Sequence, residues 1–173
     1  SIPINTSIIL APTHRSRWDG LVITMAMGRR ITNKDCRFMV TKSEMKGIQG
    51  WLLKRLGCFS INQLSPSLST LRYAIDLIEK GEQLVVFPEG KINKNGRKLV
   101  LREGLYRIAR LAIKKTESIT IIPIGIAYSK VSPTFRSEFC LSFGQPIAIT
   151  DYLNLTIKEF NKILNEKMIK EEE

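Results

Sequence analysis

The sequence is poor in histidine, cysteine and aromatic residues, and it has no long apolar run. One histidine and three cysteines occur among 173 residues, and Phe, Trp and Tyr together make up 8%. The longest apolar stretch, residues 21–27, is interrupted by Thr24 and is far shorter than the ~20 residues that a membrane-spanning helix needs. No signal peptide is recognisable. Because the sequence has no initiator methionine and enters a strand-like run almost at once, we expect an upstream segment to be missing.

The three cysteines, Cys36, Cys58 and Cys140, are odd in number and lack the spacing of metal ligands. We therefore predict buried, free thiols in a reducing compartment, and no metal site. With 43% hydrophobic and 25% charged residues, the composition is that of a globular domain and excludes a disordered or fibrous chain. The length suits one domain with a sizeable core.

Acidic residues are also scarce. Asp and Glu number 16 against 27 Lys and Arg, which gives a formal net charge of +11. This excess suits nucleic acid, an anionic membrane surface or a phosphorylated substrate. Nucleic acid is disfavoured because the few aromatic residues are not interleaved with the basic ones, as a base-stacking surface requires. Charge alone does not decide between the other two.

Apolar runs alternate with turn-forming residues along the whole chain, and this alternation predicts the fold class. Strands are predicted at 8–12, 37–41, 58–62, 83–87, 119–128 and 138–143. Helices are predicted at 20–27, 44–56, 68–80, 103–115 and 156–168. We predict a single α/β domain spanning residues 1–173, with a central, largely parallel mixed sheet flanked by helices on both faces.

Ligands of open α/β sheets bind beyond the carboxyl ends of the strands, so the residues that follow each strand are informative. A histidine, acids and lysines follow three of the predicted strands: His14, Asp19, Lys42, Glu44, Glu89 and Lys91. If the strands are parallel, we expect these side chains to converge on one edge of the sheet. Any α/β protein places some polar residues there, so position alone does not define a function.

His14 is the only histidine, and Asp19 follows it five residues later. On one continuous helix the two side chains would point about 140° apart, but they meet if His14 lies in a loop and Asp19 in the first helical turn. The carboxylate would then fix the imidazole tautomer and leave the other nitrogen free to take a proton. Alternatively, Ser16 and Asp19 form a capping box, and the sequence leaves both interpretations open.

A hydrolase of the Ser-His-Asp type is not supported. Its nucleophile elbow, Gly-x-Ser-x-Gly, is absent, and Ser16 lies too close to His14 along the chain. Cys58 is the least unfavourable cysteine nucleophile. A histidine base that acts directly on a substrate hydroxyl is the simpler hypothesis.

Glu89 directly follows a buried strand, where a carboxylate needs a partner. It either accepts hydrogen bonds from a substrate with hydroxyl groups or pairs with a lysine, and the sequence does not choose. A basic cluster comes next along the chain: Lys91, Lys94, Arg97, Lys98, Arg102, Arg107, Arg110 and Lys114. Such a cluster is either a solvated surface or a binding surface for phosphate or anionic lipid.

Five segments, in this order, resemble sequence blocks of the glycerolipid acyltransferases: His14-Arg-Ser-Arg-Trp-Asp19, Lys42-Ser-Glu44-Met, Gly57-Cys-Phe-Ser-Ile61, Phe87-Pro-Glu-Gly90 and Ile121-Ile-Pro123-Ile. The first has the family's His-x4-Asp pattern, and Phe-Pro-Glu-Gly is identical to the core of its third block. A lone His-x4-Asp is unspecific, but the order and spacing of all the segments resemble those of the 1-acylglycerol-3-phosphate (lysophosphatidate) acyltransferases. The resemblance extends over residues 8–128 and implies the glycerol-phosphate acyltransferase-like fold.

The resemblance implies a reaction. His14 would be the general base on an acceptor hydroxyl, and Asp19 would orient it. The hydroxyl would attack the thioester of acyl-CoA or acyl-carrier protein directly, without an acyl-enzyme or a further cofactor. Glu89 and Gly90 would shape the acceptor site. Basic residues would hold the acceptor phosphate: Lys42, Lys91 and Arg102.

The resemblance also implies a location and partners. Such enzymes act at the cytoplasmic face of a membrane as peripheral proteins, often through an amino-terminal hydrophobic segment. The expected partners are the thioester donor, a lysolipid acceptor and an anionic membrane surface. The apolar residues of segment 48–56 contact lipid, line an acyl tunnel or pack in the core, and these alternatives stay open.

Two arginines of the family pattern are missing. Gln63 stands where the second block usually ends in Arg, and Ile92 stands at the Arg of the Glu-Gly-Thr-Arg-Ser pattern of the third block, which here is Glu89-Gly90-Lys91-Ile92-Asn93. Arginine binds phosphate as a bidentate fork, which neither residue can do. Either Lys91 or Lys94 substitutes as a point charge, or the acceptor is a different lipid. A third alternative is a non-catalytic module that binds anionic membranes.

Overall fold

The computed structural model of the chain describes residues 7–62, 67–94, 99–134 and 137–172. Within these ranges, the chain forms seven strands and six α-helices. The strands are β1 (Ser7–Pro12), β2 (Cys36–Thr41), β3 (Cys58–Ile61), β4 (Gln83–Val86), β5 (Ile119–Tyr128), β6 (Phe139–Phe143) and β7 (Ile147–Ala148). The helices are α1 (Asp19–Met27), α2 (Arg29–Thr32), α3 (Gly47–Arg55), α4 (Leu68–Glu79), α5 (Gly104–Ala112) and α6 (Ile157–Glu172).

The strands form one mixed sheet in the order β3-β2-β4-β1-β5-β6, and β7 also pairs with β5. Strands β1 to β5 run parallel to one another, whereas β6 and β7 run antiparallel to β5. The predicted α/β fold with a largely parallel mixed sheet is therefore confirmed. The central strands are buried on both faces, which explains why β1, β4 and β5 consist almost entirely of apolar residues.

Each face of the sheet has its own core, because alternate strand residues point to opposite sides. Ile9 and Leu84 pack with α4, α5 and α6 on one face, whereas Leu10 and Val85 pack with α1 on the other. This arrangement is the one that right-handed crossovers are expected to produce. The chain steps from β1 to β2 to β3 in one direction across the sheet, and then returns through β4 to β5 in the other.

The predicted helix at 44–56 begins later than the periodicity indicates. A 3-10 turn covers Lys42–Glu44, and α3 starts at Gly47, whose φ of 57° favours glycine. Gly50 is required within α3, because a Cβ there would lie 2.3 Å from the carbonyl oxygen of Met45. The short elements α2 and β7 were not predicted.

Side chains of three helices show how closely the local sequence pattern matches the structure. Thr156 and Glu159 form a capping box at the start of α6, since each side chain accepts a hydrogen bond from the other residue's backbone N–H. Leu68 of α4 and Leu111 of α5 follow the apolar periodicity of their helices but are exposed, so periodicity alone does not identify the core residues.

Gly125 of β5 allows α6 to cross the sheet in backbone contact. A Cβ at this position would lie 2.1 Å from the carbonyl oxygen of Glu171. We expect Gly125→Ala to lower the free energy of unfolding by about 1–3 kcal/mol, because α6 must shift. Gly104→Ala is the matched control, since nothing lies within 4 Å of its Cβ. Urea denaturation of both variants measures the difference, and equal stabilities would contradict the close packing.

Candidate active site

His14 lies in the loop between β1 and α1, at the carboxyl edge of the sheet. Its Nδ1 is 2.8 Å from Asp19 Oδ2, and its ring stacks on Phe87 with a centroid separation of 4.2 Å. The side chain is 20% exposed, and no partner of Nε2 occurs in the described part of the chain. The loop, the carboxylate and the Phe87 ring therefore fix the imidazole while its Nε2 side stays accessible.

The Asp19 carboxylate is completely buried and accepts four hydrogen bonds. Oδ2 accepts from His14 Nδ1 and from the backbone N–H groups of Arg15, at 2.7 Å, and Ser16, at 2.9 Å. Oδ1 accepts from the Tyr128 hydroxyl at 2.7 Å. Since an ionised carboxylate only accepts, Nδ1 carries the imidazole proton, and Nε2 of the neutral ring has the lone pair.

Both sequence interpretations of Asp19 hold in part. The side chain contacts His14, and it also binds the Ser16 N–H, which is one half of a capping box. The other half is absent, because the Ser16 hydroxyl accepts from the N–H of Trp18. One carboxylate oxygen thus closes the turn that begins α1 and orients the imidazole.

Tyr128 is a site residue that the sequence analysis missed. Burial raises the pKa of Tyr128, and the hydrogen bond to the charge of Asp19 raises it further, so the hydroxyl stays a neutral donor. Tyr128 ends β5, and β5 lies parallel beside β1. The rule that ligand-binding residues follow parallel strands could have selected it had it been applied to this strand.

Glu89, in the turn after β4, is buried and holds the loop after β1. Its Oε1 accepts the backbone N–H of His14 at 2.8 Å, and both oxygens accept from Arg15 Nη1, at 2.9 and 3.2 Å. The partner is thus an arginine rather than the lysine considered from the sequence. Glu89 therefore links the His14 loop to the Phe-Pro-Glu-Gly turn.

Arg15 also reaches the last turn of α6. Its Nε and Nη2 donate to the two carboxylate oxygens of Glu172, with 2.6 Å between Nη2 and Oε2. Burial alone would lower the pKa of Arg15, but the hydrogen bonds and charges of Glu172 and Glu89 outweigh it and raise the pKa. One buried guanidinium therefore joins the turn after β4 to the end of α6. No sequence signal pointed to Glu172.

The predicted acceptor-binding residues lie at the same edge but are less constrained. Lys42 begins the 3-10 turn after β2 and is exposed, and Lys91 is exposed next to Gly90, whose φ is 69°. The Arg102 side chain is exposed, and its N–H donates to the Pro88 carbonyl at 2.7 Å. The structure thus brings these residues to the site's rim, and their roles stay predictions.

The remaining basic residues divide into two groups. Arg97 and Lys98 lie outside the described residues, and so does Gln63, which stands where the family pattern has Arg. On α5, Arg107 pairs with Glu103 at 2.5 Å, and the Arg110 guanidinium lies 5.6 Å from the centre of the Tyr106 ring. Part of the cluster is therefore a solvated helix surface with local partners.

The three cysteines are free, and their chemistry disfavours a thiol nucleophile. Burial raises the pKa of Cys36 to about 12 and that of Cys58 to about 11, so neither forms much thiolate at neutral pH. The prediction of buried thiols was wrong for Cys140, which is exposed on β6 at the sheet edge. Among residues 7–62, 67–94, 99–134 and 137–172, no group of three His, Cys, Asp or Glu side chains is placed to hold a metal ion.

In the same ranges of the chain, none of the helices combines the length and the apolar character needed to cross a bilayer.

A buried carboxylate that binds a partly exposed histidine at the edge of a parallel sheet is an arrangement suited to general-base chemistry. Residues 1–127 match the sequence profile of the Acyltransferase family, and the chain belongs to that family. This confirms the resemblance drawn from the sequence blocks.

Relatives with assigned names share about a quarter of their residues with this chain. It is 27% identical to a 1-acyl-sn-glycerol-3-phosphate acyltransferase of Streptococcus pneumoniae, over 91% of this chain and 56% of the relative. It is also 27% identical to the enzyme of that name from Bacillus subtilis, over 92% of this chain and 76% of the relative. The chain thus spans only about half the length of the streptococcal relative.

A solved structure has the same fold. The 1-acyl-sn-glycerophosphate (LPA) acyltransferase PlsC from Thermotoga maritima superposes with a TM-score of 0.60 at 18% identity, covering 95% of this chain and 64% of that one. At this identity the match supports the fold alone.

The Arg15–Glu172 contact makes a measurable prediction. Glu172→Gln removes one of the two charges that neutralise a buried guanidinium, so we expect the free energy of unfolding to fall by about 1–3 kcal/mol. Amide exchange of residues 13–18 should accelerate, since Arg15 then anchors that loop less firmly. Glu166→Gln, at an exposed position of the same helix, is the control. Unchanged exchange in Glu172→Gln would show that α6 does not hold the loop.

Proposed function

We propose that this protein is an O-acyltransferase that transfers a fatty acyl group from a thioester donor to a lysolipid hydroxyl. The observation that carries the proposal is the state of His14: Asp19 binds Nδ1 at 2.8 Å, and Nε2 is left with no protein partner in the described ranges. The family match and the names of the relatives support the reaction class. The first candidate acceptor is 1-acylglycerol-3-phosphate, after those names.

The proposed reaction proceeds in two steps. Nε2 of His14 takes the proton of the acceptor hydroxyl as its oxygen attacks the thioester carbonyl carbon, and the ionised Asp19 stabilises the imidazolium that forms. The tetrahedral intermediate then expels the thiolate, which takes the proton back from Nε2. The products are an ester and a free thiol. The high pKa values of Cys36 and Cys58 are consistent with direct transfer rather than an acyl-enzyme.

The fixed geometry of the imidazole is suited to general-base catalysis. Asp19 has no freedom to turn, because its two oxygens accept four hydrogen bonds, and Phe87 stacks on the imidazole. The proton acceptor therefore needs little reorganisation when the hydroxyl arrives. In this proposal His14 is the base that takes the hydroxyl proton, and Asp19 is the acid that orients it.

The donor is proposed to be acyl-CoA or acyl-carrier protein. Both are anionic, and the exposed Lys91 and Arg102 at the rim are suited to phosphate or carboxylate groups. Lys42 directly follows β2, which lies beside β4 on the side away from β1. It adds positive charge on that side of the site. We place the reaction at the cytoplasmic face of a membrane, where the lipid acceptor is found.

A second acceptor class is favoured by one specific position. Ile92, half-buried in the turn after Gly90, occupies the place where the family pattern has a phosphate-binding arginine. Only point charges are near it in sequence, Lys91 and Lys94, and both are exposed. A lysolipid or lipid alcohol without a phosphomonoester is therefore the alternative acceptor.

His14→Ala is expected to lower kcat by about 10²–10⁴-fold, because general-base catalysis contributes that much. Asp19→Asn should also lower kcat steeply, since the amide does not stabilise the imidazolium as a carboxylate does. Thiol release from acyl-CoA in the presence of acceptor measures both. Circular dichroism verifies that each variant is folded, which matters for Asp19 because it also closes a turn. Full activity of folded His14→Ala would refute the proposed base.

An acceptor panel distinguishes the two acceptor classes. If a phosphomonoester is recognised by Lys91 and Lys94, Lys91→Gln/Lys94→Gln should raise KM for 1-acylglycerol-3-phosphate about tenfold and leave KM for neutral monoacylglycerol unchanged. Lys158→Gln/Lys162→Gln on α6 is the matched charge control. Turnover of neutral acceptors alone would identify the alternative class, and no turnover of any acceptor with either donor would favour the non-catalytic membrane module.

A further inference from the structure

Two helices on one face of the sheet carry apolar stripes that point away from the protein. The α3 stripe consists of Ile48, Trp51, Leu52 and Leu56, with exposed fractions of 87%, 57%, 51% and 45%. The α1 stripe consists of Trp18, Leu21 and Met25, with exposed fractions of 39%, 45% and 70%. Within each stripe the residues follow helical spacing, so they form continuous ridges. We call the two stripes together the α1–α3 surface.

Packing inside the protein does not explain these residues. An amphipathic helix normally turns its apolar stripe towards the core, but α3 buries only Gly50 and half-buries Leu53. Helix α1 is apolar on all sides, although only Val22, Ile23 and Met27 enter the core. Helices that are apolar all round are typical of positions enclosed by protein or lipid.

The topology places the two stripes on the same side of the molecule. The β1-α1-β2 and β2-α3-β3 connections step across the sheet in the same direction, so right-handed crossovers put α1 and α3 on one face. The α1 stripe begins at Trp18, directly before Asp19, and α3 follows the turn at the carboxyl end of β2. The α1–α3 surface therefore adjoins the edge that carries His14.

Positive charge accompanies the apolar side chains. The exposed cations along these segments are Arg17, Lys46, Lys54 and Arg55. Helix α3 contains no acidic residue, and the Arg55 guanidinium lies 4.5 Å from the centre of the Trp51 ring. Glu44, in the preceding turn, accepts a hydrogen bond from Gln49 and is the nearest acid along the chain.

We propose that the α1–α3 surface binds an anionic lipid bilayer, with both stripes inserted at the boundary between headgroups and acyl chains. Leucine, isoleucine and tryptophan flanked by Lys and Arg are typical of helices that lie in this boundary. Each cation near an anionic leaflet adds about 1 kcal/mol of attraction. A second copy of the chain is a poorer occupant, because two such surfaces would bring like charges together.

Membrane binding at this surface stands independently of catalysis. One consequence rests on the proposed function: a lysolipid leaving the bilayer here would enter the sheet edge beside His14. The test is therefore a binding measurement in which no turnover is needed.

The fluorescence of the two tryptophans measures whether the α1–α3 surface inserts into a bilayer. Trp18 and Trp51 are the only two tryptophans in the sequence, and each belongs to one stripe. With vesicles of equal parts phosphatidylcholine and phosphatidylglycerol, we expect a blue-shifted emission and quenching by brominated acyl chains. Trp18→Phe and Trp51→Phe report each stripe separately. Phosphatidylcholine vesicles alone should bind at least about tenfold more weakly. The absence of any shift, with no protein in the floated vesicle fraction, would overturn the proposal.

Paired variants locate the binding surface. Ile48→Gln/Leu52→Gln should lower vesicle affinity at least about tenfold, whereas Leu68→Gln, an equally exposed leucine on α4, should not. Lys54→Glu/Arg55→Glu should do the same, with Arg110→Glu/Lys114→Glu, in α5 and the turn directly after it, as the charge control. Equal losses in the α5 control would assign binding to the other face. A dimer in size-exclusion chromatography that Ile48→Gln/Leu52→Gln dissociates would also overturn the proposal.

Thiol release with a micellar acceptor separates this proposal from the catalytic one. If Ile48→Gln/Leu52→Gln keeps its thiol-release activity on a micellar acceptor but no longer binds vesicles, the α1–α3 surface binds the membrane as proposed. An inactive wild type that still binds anionic vesicles through α3 would refute the proposed reaction and leave the surface proposal standing.

Discussion

The burial of the Asp19 charge is the constraint on which the site depends. A carboxylate that has lost all contact with water must recover its hydrogen bonds from the protein. For Asp19 they come from the His14 ring, the backbone N–H groups of Arg15 and Ser16, and the Tyr128 hydroxyl at the end of β5. The loop after β1, the start of α1 and the end of β5 are therefore fixed relative to one another by one side chain.

A second buried charge completes the arrangement with the opposite sign. Arg15 follows His14 directly and is bound by Glu89 from the turn after β4 and by Glu172 from α6. Asp19 thus orients the imidazole, while Arg15 and Glu89 set the position of the backbone that carries it. Breaking such a buried pair costs more than its formation contributes, so the network acts mainly to specify one loop conformation. The cations at the rim, Lys42, Lys91 and Arg102, are by contrast exposed, so a ligand can replace the water around them and leave again.

The sequence was most informative where a local pattern of residues directly determines the structure, as apolar runs do for buried strands. Apolar runs predicted the parallel strands, and the residues that follow those strands predicted that His14, Asp19 and Glu89 would lie at one edge. Their partners were harder to predict. Tyr128 ends an apolar strand, so the sequence did not distinguish it from a core residue. Glu172 reaches Arg15 only because α6 crosses β5 at Gly125. The outward-facing stripe of α3 has the same periodicity as a core stripe, so only the structure shows its exposure.

The bridge between Arg15 and Glu172 joins residues 157 positions apart in the sequence. During synthesis the loop that bears His14 emerges well before Glu172, the last of its anchoring carboxylates to be made. The parallel strands must also wait for distant partners, which makes such sheets slow to assemble. A ribosome-bound chain that has formed β1 and α1 therefore still has a loosely held loop. Order at the site is completed as α6 docks, so a chain released before that helix is made would retain much of the sheet without a fully anchored histidine.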